Sequence, residues 1–509
     1  RQKYNPKSIH LSLYLSFFSS AMAEAKPRNL RIVMFPFMGQ GHIIPFVALA
    51  LRLEKIMIMN RANKTTISMI NTPSNIPKIR SNLPPESSIS LIELPFNSSD
   101  HGLPHDGENF DSLPYSLVIS LLEASRSLRE PFRDFMTKIL KEEGQSSVIV
   151  IGDFFLGWIG KVCKEVGVYS VIFSASGAFG LGCYRSIWLN LPHKETKQDQ
   201  FLLDDFPEAG EIEKTQLNSF MLEADGTDDW SVFMKKIIPG WSDFDGFLFN
   251  TVAEIDQMGL SYFRRITGVP VWPVGPVLKS PDKKVGSRST EEAVKSWLDS
   301  KPDHSVVYVC FGSMNSILQT HMLELAMALE SSEKNFIWVV RPPIGVEVKS
   351  EFDVKGYLPE GFEERITRSE RGLLVKKWAP QVDILSHKAT CVFLSHCGWN
   401  SILESLSHGV PLLGWPMAAE QFFNSILMEK HIGVSVEVAR GKRCEIKCDD
   451  IVSKIKLVME ETEVGKEIRK KAREVKELVR RAMVDGVKGS SVIGLEEFLD
   501  QAMVKKVEN

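Results

Sequence analysis

The sequence has no excess of charge of either sign, few cysteines and no internal repeat. With 61 Lys and Arg against 64 Asp and Glu, its net charge of −3 gives no general pull toward nucleic acid or an anionic membrane, and neither is expected as a partner. Its seven cysteines, Cys163, Cys183, Cys310, Cys391, Cys397, Cys444 and Cys448, are scattered and contain no CxxC pair. An odd, dispersed set excludes a disulfide scaffold and reads as reduced thiols, in keeping with a cytoplasmic location. Cys444 and Cys448 lack a nearby His or second Cys pair that would complete a zinc set. No GxGxxG follows a strand and no GxxxxGK[ST] occurs, which removes the dinucleotide fingerprint and the P-loop. No membrane span is expected, because the apolar run in "RQKYNPKSIHLSLYLSFFSSAMA" is too short to cross a bilayer. That stretch has the basic, apolar and small-residue order of a secretory signal, but Met22 opens "MAEAKPRNLRIVMF". Residues 1–29 therefore read as a leader or disordered N-terminus in preference to a signal. The sequons at Asn63 and Asn97 matter only under the signal reading.

What is present is an alternation of short apolar runs with amphipathic stretches. A chain of 509 residues is too long for one compact core, so two domains are expected. From Arg31, "RIVMFPF", "TTISMI", "SISLIEL", "SSVIVIGDF" and "YSVIFSAS" read as strands, and a helix is predicted from about His42 to Lys55. The rhythm breaks in a segment rich in Pro, Lys, Ser and Gly, from Val271 to Glu292, and resumes with "SVVYVCFGS", "FIWVV", "GLLVKKW", "CVFLSHCG" and "VPLLGWP". Two doubly wound α/β domains follow from this. The boundaries are 30–273 for the first, 274–296 for a linker, 297–484 for the second, and 485–509 for a C-terminal helix.

In such sheets ligands sit at the carboxyl ends of the strands. In the second half those ends carry Gly312-Ser313, Trp378 with Gln381 beyond it, His396, and Glu420-Gln421. Gly398 permits a tight turn, after which Asn400 and Ser401 open a helix whose free N–H groups suit a phosphate. His396 can donate to the same anion. Glu404, four residues after Asn400, lies on the same face one turn deeper, where a carboxylate suits a ribose diol. Trp378 offers a flat surface for a base. Base, ribose and diphosphate together describe a nucleotide.

The segment "WAPQVDILSHKATCVFLSHCGWNSILESLSHGVPLLGWPMAAEQ", Trp378 to Gln421, closely resembles the signature box of plant UDP-dependent glycosyltransferases. The resemblance extends to "FPFMGQGHIIP", "FLFNTVAEID", "WPVGP" and "VCFGSMNS", in family order, from about Leu30 onward. It implies a GT-B type fold, two Rossmann-like doubly wound domains facing across a cleft, with the acceptor held by the first and the UDP-sugar by the second. The C-terminal helix is expected to pack back on the first domain.

By that resemblance, Trp378 lies under the uracil, and the main chain of Ala379 with the side chain of Gln381 helps hold the uridine. Glu404 holds the ribose hydroxyls, and His396, Asn400 and Ser401 contact the diphosphate with Ser313 assisting. Trp399, Glu420 and Gln421 face the sugar, and Gln421 at the end of the box suits glucose. His42 is the implied general base and Asp153 its supporting carboxylate. An imidazole titrates near working pH and can accept the proton of an acceptor hydroxyl.

The implied reaction is inverting glucosyl transfer from UDP-glucose to a hydroxyl of a small lipophilic acceptor, flavonoid or terpenoid, giving a β-glucoside. UDP-glucose is a co-substrate, and no cofactor, metal or protein partner is expected, the chain acting as a monomer. Asp243-x-Asp245 is the kind of pair that binds metal in another transferase architecture, but here it precedes a strand and turn of the first domain. Two alternatives stay open: the same fold using another UDP-sugar or extending a sugar on a glycoside, and a non-catalytic sugar-nucleotide binding protein. The chain departs from relatives in having Ala175, flanked by Ser174 and Ser176, where some carry Thr or Ser, and Glu420 where many carry Asp.

Overall fold

The computed structural model describes residues 30–59, 65–144, 148–278, 288–313, 315–344, 352–376, 378–484 and 488–504. The leader at 1–29, the sequon at Asn63 and linker residues 279–287 lie outside this set. Among the described residues, the first half forms a seven-stranded parallel sheet. Its strands are β1 (Leu30–Phe35), β2 (Thr65–Asn71), β3 (Ser90–Glu93), β4 (Val148–Asp153), β5 (Tyr169–Ser174), β8 (Gly246–Phe249) and β9 (Val271–Pro273). They run in the order β3-β2-β1-β4-β5-β8-β9. Between β5 and β8 an excursion carries a short antiparallel pair, β6 (Gln200–Phe201) and β7 (Ile212–Glu213). The second half forms a six-stranded parallel sheet of β10 (Val306–Cys310), β11 (Asn335–Val339), β12 (Gly372–Val375), β13 (Thr390–Ser395), β14 (Leu412–Gly414) and β15 (Ser435–Glu437). Its order is β12-β11-β10-β13-β14-β15.

Parallel strands need crossovers, and those crossovers cover both faces of the sheet, so the strands read as unbroken apolar runs. In β1, Ile32 and Met34 point into one core while Val33 and Phe35 point into another. In β10, Val307 and Val309 face one side while Val306, Tyr308 and Cys310 face the other. The helix predicted from His42 runs Gln40–Met59 and carries Pro45 within it.

Two boundaries differ from the sequence reading. Helix Arg288–Asp299 occupies the last part of the expected linker, since its acidic and apolar residues repeat at helical spacing once the Pro and Gly are past. β12 ends at Val375, short of Trp378. The helix Ser490–Val504 lies against β9, with Phe498 at 5.7 Å from Trp272 and with Leu495, Phe498 and Ala502 buried in the core of the first sheet. No described helix is long and apolar enough to cross a membrane.

Candidate functional site

Each sheet has a switch point where strand order reverses, and both gather polar side chains there. In the first sheet β1 lies between β2 and β4, so the chain leaving β1 meets the end of β4 at one crevice. His42, in the first turn of the Gln40 helix, and Asp153, the last residue of β4, come from these two ends. Nδ1 of His42 lies 2.8 Å from Oδ2 of Asp153, which is fully buried. The second carboxylate oxygen accepts the Phe155 N–H at 3.0 Å, which fixes its orientation. A carboxylate can only accept here, so the pairing puts the proton on Nδ1 and leaves Nε2 as the basic nitrogen. Phe37, Phe110, Phe154 and Phe155 surround the imidazole at centroid distances of 5.5 to 6.4 Å. Burial pushes the imidazolium down, but the charge and hydrogen bond of Asp153, with smaller contributions from Glu420 and Asp111, outweigh it and raise the pKa above the ordinary 6.5.

In the second sheet β10 lies between β11 and β13, which brings Gly312-Ser313 beside His396. The two glycines here make room for one imidazole. A Cβ on Gly312 (φ 78) would stand 2.7 Å from His396 Nε2, and one on Gly398 would overlap the same nitrogen. His396 is buried, its Nδ1 has no partner, and desolvation lowers its pKa to about 4, so it is a neutral donor at working pH. Cys397 turns the chain with φ 61, and helix Trp399–His408 starts two residues later, its first N–H groups without intrahelical acceptors.

Beyond that turn a polar chain runs inward. Tyr308 Oη donates to Gln381 Oε1 (3.1 Å), and Gln381 Nε2 donates to Ser401 Oγ (3.0 Å) and Glu404 Oε2 (2.6 Å). Gln381 thus holds Glu404 in place as well as standing beside it. Ala379 is buried and its carbonyl accepts the Gln381 N–H at 2.9 Å, while Trp378 is 42% exposed at the edge of the cleft.

A cavity of about 1230 Å³ joins the two switch points. It is lined by His42 and the aromatic residues Phe110, Phe154, Phe155 and Tyr184 on one side, and by His396, Ser401 and Glu404 on the other. Glu420 reaches across to the first domain, where Ser176 Oγ donates to its Oε1 at 3.1 Å. Burial raises the Glu420 pKa, opposed by hydrogen bonds and by His42. Gln421 Oε1 accepts the N–H groups of Met417 and Ala418 at 3.0 Å each, which leaves its NH₂ group to face a ligand.

Three predicted residues make contacts between the two domains. Trp399 lines the cavity, and its indole N–H donates to the Asn250 carbonyl at 2.6 Å while its ring packs where Gly177 leaves space. At 2% exposure, with its one polar side-chain atom paired, the indole packs the two domains together. Asn400 Nδ2 donates to the Gly41 carbonyl at 3.2 Å and Ser313 Oγ donates to Asp111 Oδ1 at 3.1 Å, so they bridge the cleft to the first turn of the Gln40 helix and to the turn Phe110–Ser112. Asp111 also accepts the Gln40 N–H at 2.8 Å.

The sequence reading missed Asp111, Asn250 and Arg341. Arg341 follows β11 on the face that carries Val339 and Ile337, lines the cavity, and has a buried Nε without a partner. A cation placed directly after the buried run "FIWVV" was the available signal. Asp111 lay in a segment whose composition suggests only a loop, and Asn250 follows β8 inside "FLFNTVAEID" without a spacing that singles it out. Asp243 pairs with Lys164 at 3.2 Å and Asp245 accepts the Ser170 N–H at 3.0 Å, both structural contacts.

Comparison with known proteins agrees across most of the chain. Residues 282–473 match the family model described as UDP-glucoronosyl and UDP-glucosyl transferase. Crocetin glucosyltransferase 3 of Crocus sativus is 41% identical over 408 residues, covering 78% of this chain and 84% of that protein. Scopoletin glucosyltransferase of Nicotiana tabacum is 33% identical over 494 residues, covering 93% and 98%. Among solved structures, a Glycyrrhiza uralensis UGT complexed with glycyrrhetinic acid 3-O-monoglucuronide superposes with a TM-score of 0.77 at 28% identity, over 94% of this chain and 96% of that one. A Medicago truncatula UGT complexed with UDP-glucose gives 0.73 at 27% identity, over 93% and 98%.

Proposed function

The chain belongs to the plant UDP-dependent glycosyltransferases of GT-B fold, and from that premise we propose that it transfers glucose from UDP-glucose to a hydroxyl of a small lipophilic acceptor with inversion. The observation that carries the reading is the pair of half-buried His42 and buried Asp153 opening onto the same cavity as the Gln381–Ser401–Glu404 chain. In this scheme the acceptor hydroxyl gives its proton to His42 Nε2 while its oxygen bonds to C1 of the sugar. The C1–O bond to UDP breaks on the opposite face and UDP leaves with the electron pair. Asp153 keeps the tautomer and stabilises the imidazolium as it forms.

We assign the uracil to Trp378 and the Ala379 main chain, the ribose to Glu404 held by Gln381, and the diphosphate to His396, Asn400, Ser401 and Ser313 at a helix N-terminus. Those donors stabilise the leaving diphosphate. On binding, Ser313 and Asn400 would exchange their cross-cleft partners for phosphate oxygens. Glu420 and the Gln421 amide would meet the sugar hydroxyls. Glucose is favoured because the relatives named for crocetin and scopoletin are glucosyltransferases. The aromatic wall around His42 favours a flat, conjugated or polycyclic acceptor of flavonoid or terpenoid type. Seven free cysteines, five of them buried, are in keeping with action in the cytoplasm.

The Glycyrrhiza structure holds a glycoside ligand, which favours sugar extension as the second reading. Purified protein offered a panel of UDP-sugars against flavonoid, terpenoid and glycoside acceptors separates the two. Preference for UDP-glucose with an aglycone, and a β-anomeric product by NMR, is the expected result. Preference for another donor, or an α-product, overturns the proposal.

A further inference from the structure

The excursion between β5 and β8 supplies the far wall of the cavity, through Asn218, Phe220 and Trp230. It is a long crossover that begins with helix Ala178–Asn190 and ends with helix Asp229–Ile237, and between them only short strands, short helices and turns carry the chain. Inside the excursion the restraints are local. Glu213 caps the short turn Lys214–Gln216 and its own N–H donates to Gln216 Oε1 at 2.9 Å. Asn218 Oδ1 accepts the Met221 N–H at 3.0 Å. Phe220 packs on Trp230 at 5.8 Å, and Trp230 stacks on Trp188 at 6.2 Å.

From outside the excursion, Arg265 holds Glu208 at 2.8 Å and Tyr262 holds Asp205 at 2.9 Å within the first domain, and a further restraint comes from the other domain. Arg440, just beyond β15, donates through Nη1 to Glu213 and to Thr215 Oγ1 (2.9 Å), and through Nε to Glu437. Its guanidinium is 25% exposed, against 34% for Glu213 and 13% for Glu437, so the cluster is half-buried between domains. Glu429 joins it by accepting the Glu437 N–H at 3.0 Å. The main chain beside Arg440 is itself tied down: Gly441 N–H donates to the Pro416 carbonyl at 2.7 Å, and Trp415 Nε1 donates to the Gly441 carbonyl at 3.1 Å. Pro416 lies four residues before Glu420. A continuous mechanical path therefore runs from the turn assigned to the sugar, through Arg440 and Glu213, to Asn218 and Phe220.

We infer that Arg440 is a positioning residue for the acceptor: by gripping Glu213 it lets the donor domain set the far wall of the acceptor pocket. The inference rests on the reading that this wall receives the acceptor. Removing the grip loosens the segment around Glu213 and weakens acceptor binding while leaving the nucleotide contacts alone. A charge-assisted fork held between two carboxylates is geometrically specific, which lysine reproduces only in part.

The test is a double-mutant cycle of Arg440→Gln and Glu213→Gln, with Arg440→Lys alongside. Turnover is followed with UDP-glucose and 4-methylumbelliferone as the planar hydroxylated acceptor, and UDP affinity is measured by calorimetry. Each single variant is expected to raise the acceptor KM about three- to tenfold, and the double variant no further than the worse single. Arg440→Lys should fall between wild type and Arg440→Gln, and UDP affinity should stay within about twofold. Limited proteolysis in saturating UDP gives a readout independent of turnover, with cleavage inside residues 199–230 faster in both singles than in wild type. Unchanged acceptor KM, additive effects, a matching loss of UDP affinity, or equal cleavage rates each overturn the inference. Failure of the wild type to glucosylate any hydroxylated acceptor instead overturns the proposed function, and the proteolysis result still decides the role of Arg440.

Discussion

Replacing Asp153 by Asn tests the heart of the scheme. In the native pair a fully buried carboxylate accepts both from His42 Nδ1 at 2.8 Å and from the Phe155 N–H at 3.0 Å. An amide of the same shape has one acceptor oxygen for these two donors. If that oxygen stays with Phe155, the NH₂ group faces Nδ1, which must then accept, and the ring proton moves to Nε2. The base is then blocked at the atom that faces the cleft. Enforcing the wrong tautomer in a His–Asp pair costs about 10³–10⁴ in turnover, equivalent to about 4–5.5 kcal/mol of barrier. Removing the charge also leaves desolvation as the dominant effect on His42, so its pKa should fall from above 6.5 to below it.

The assay is kcat and kcat/KM across pH 5 to 9 with UDP-glucose and a saturating acceptor, beside UDP affinity by calorimetry. A general base works when neutral, so the acid limb of wild type should lie above pH 6.5 and that of Asp153→Asn lower. His42→Ala, the comparator, should lose turnover and keep UDP affinity. Stability has its own sign: because the folded-state pKa of His42 is raised, the pair stabilises fully below the unfolded value near 6.5 and the gain is lost as pH rises through the folded value. The melting difference between wild type and Asp153→Asn should therefore be greatest in mild acid and shrink at higher pH. Turnover in Asp153→Asn within tenfold of wild type, with an unmoved acid limb, would refute the assignment of this pair.

Gly398→Ala places a methyl group on His396 Nε2 and should displace the ring; overpacking of this kind costs about 1–3 kcal/mol, read as a lower melting temperature and at least tenfold weaker UDP binding. Glu404→Gln sets one amide against the Gln381 amide, and the loss of a charge-assisted pair at about 1.5–3 kcal/mol predicts about ten- to hundredfold weaker UDP binding. In that variant 2′-deoxy-UDP should bind about as well as UDP, whereas the wild type should prefer UDP; retained preference would remove Glu404 from the ribose. Trp399→Ala empties the wedge between domains and leaves the Asn250 carbonyl unpaired, a change costing about 3–5 kcal/mol, so the melting transition should drop clearly, and an unchanged transition would show that the indole carries no interdomain packing.

How far the molecule could be read from its sequence is clear in particular residues. β1, β2, β4, β5, β10, β11 and β13 stand where short apolar runs flanked by turn residues put them, because burial on both faces leaves a local mark. The positions of His396, Ser401 and Glu404 at a strand end and along the first two turns of a helix were likewise local facts, legible from spacing, and the resemblance added His42 and Asp153. Asp111 and Asn250 left no comparable mark, since each acquires its meaning from a neighbour far along the chain, Ser313 and Trp399 respectively.

By itself the sequence determined the alternation of strand and helix, the two sheets, and which side chains stand at the carboxyl ends of their strands. These are properties of period and propensity over a dozen residues. Only the tertiary structure decided the partnerships. His42 meets Asp153 because β1 is inserted between β2 and β4, across 111 residues. Gln381 grips Glu404 because two helices converge, and the Trp399 indole meets the Asn250 carbonyl because the second domain closes on the first. A hydrogen bond is satisfied by whichever group the packing of whole domains brings within 3 Å, and no local pattern encodes that choice.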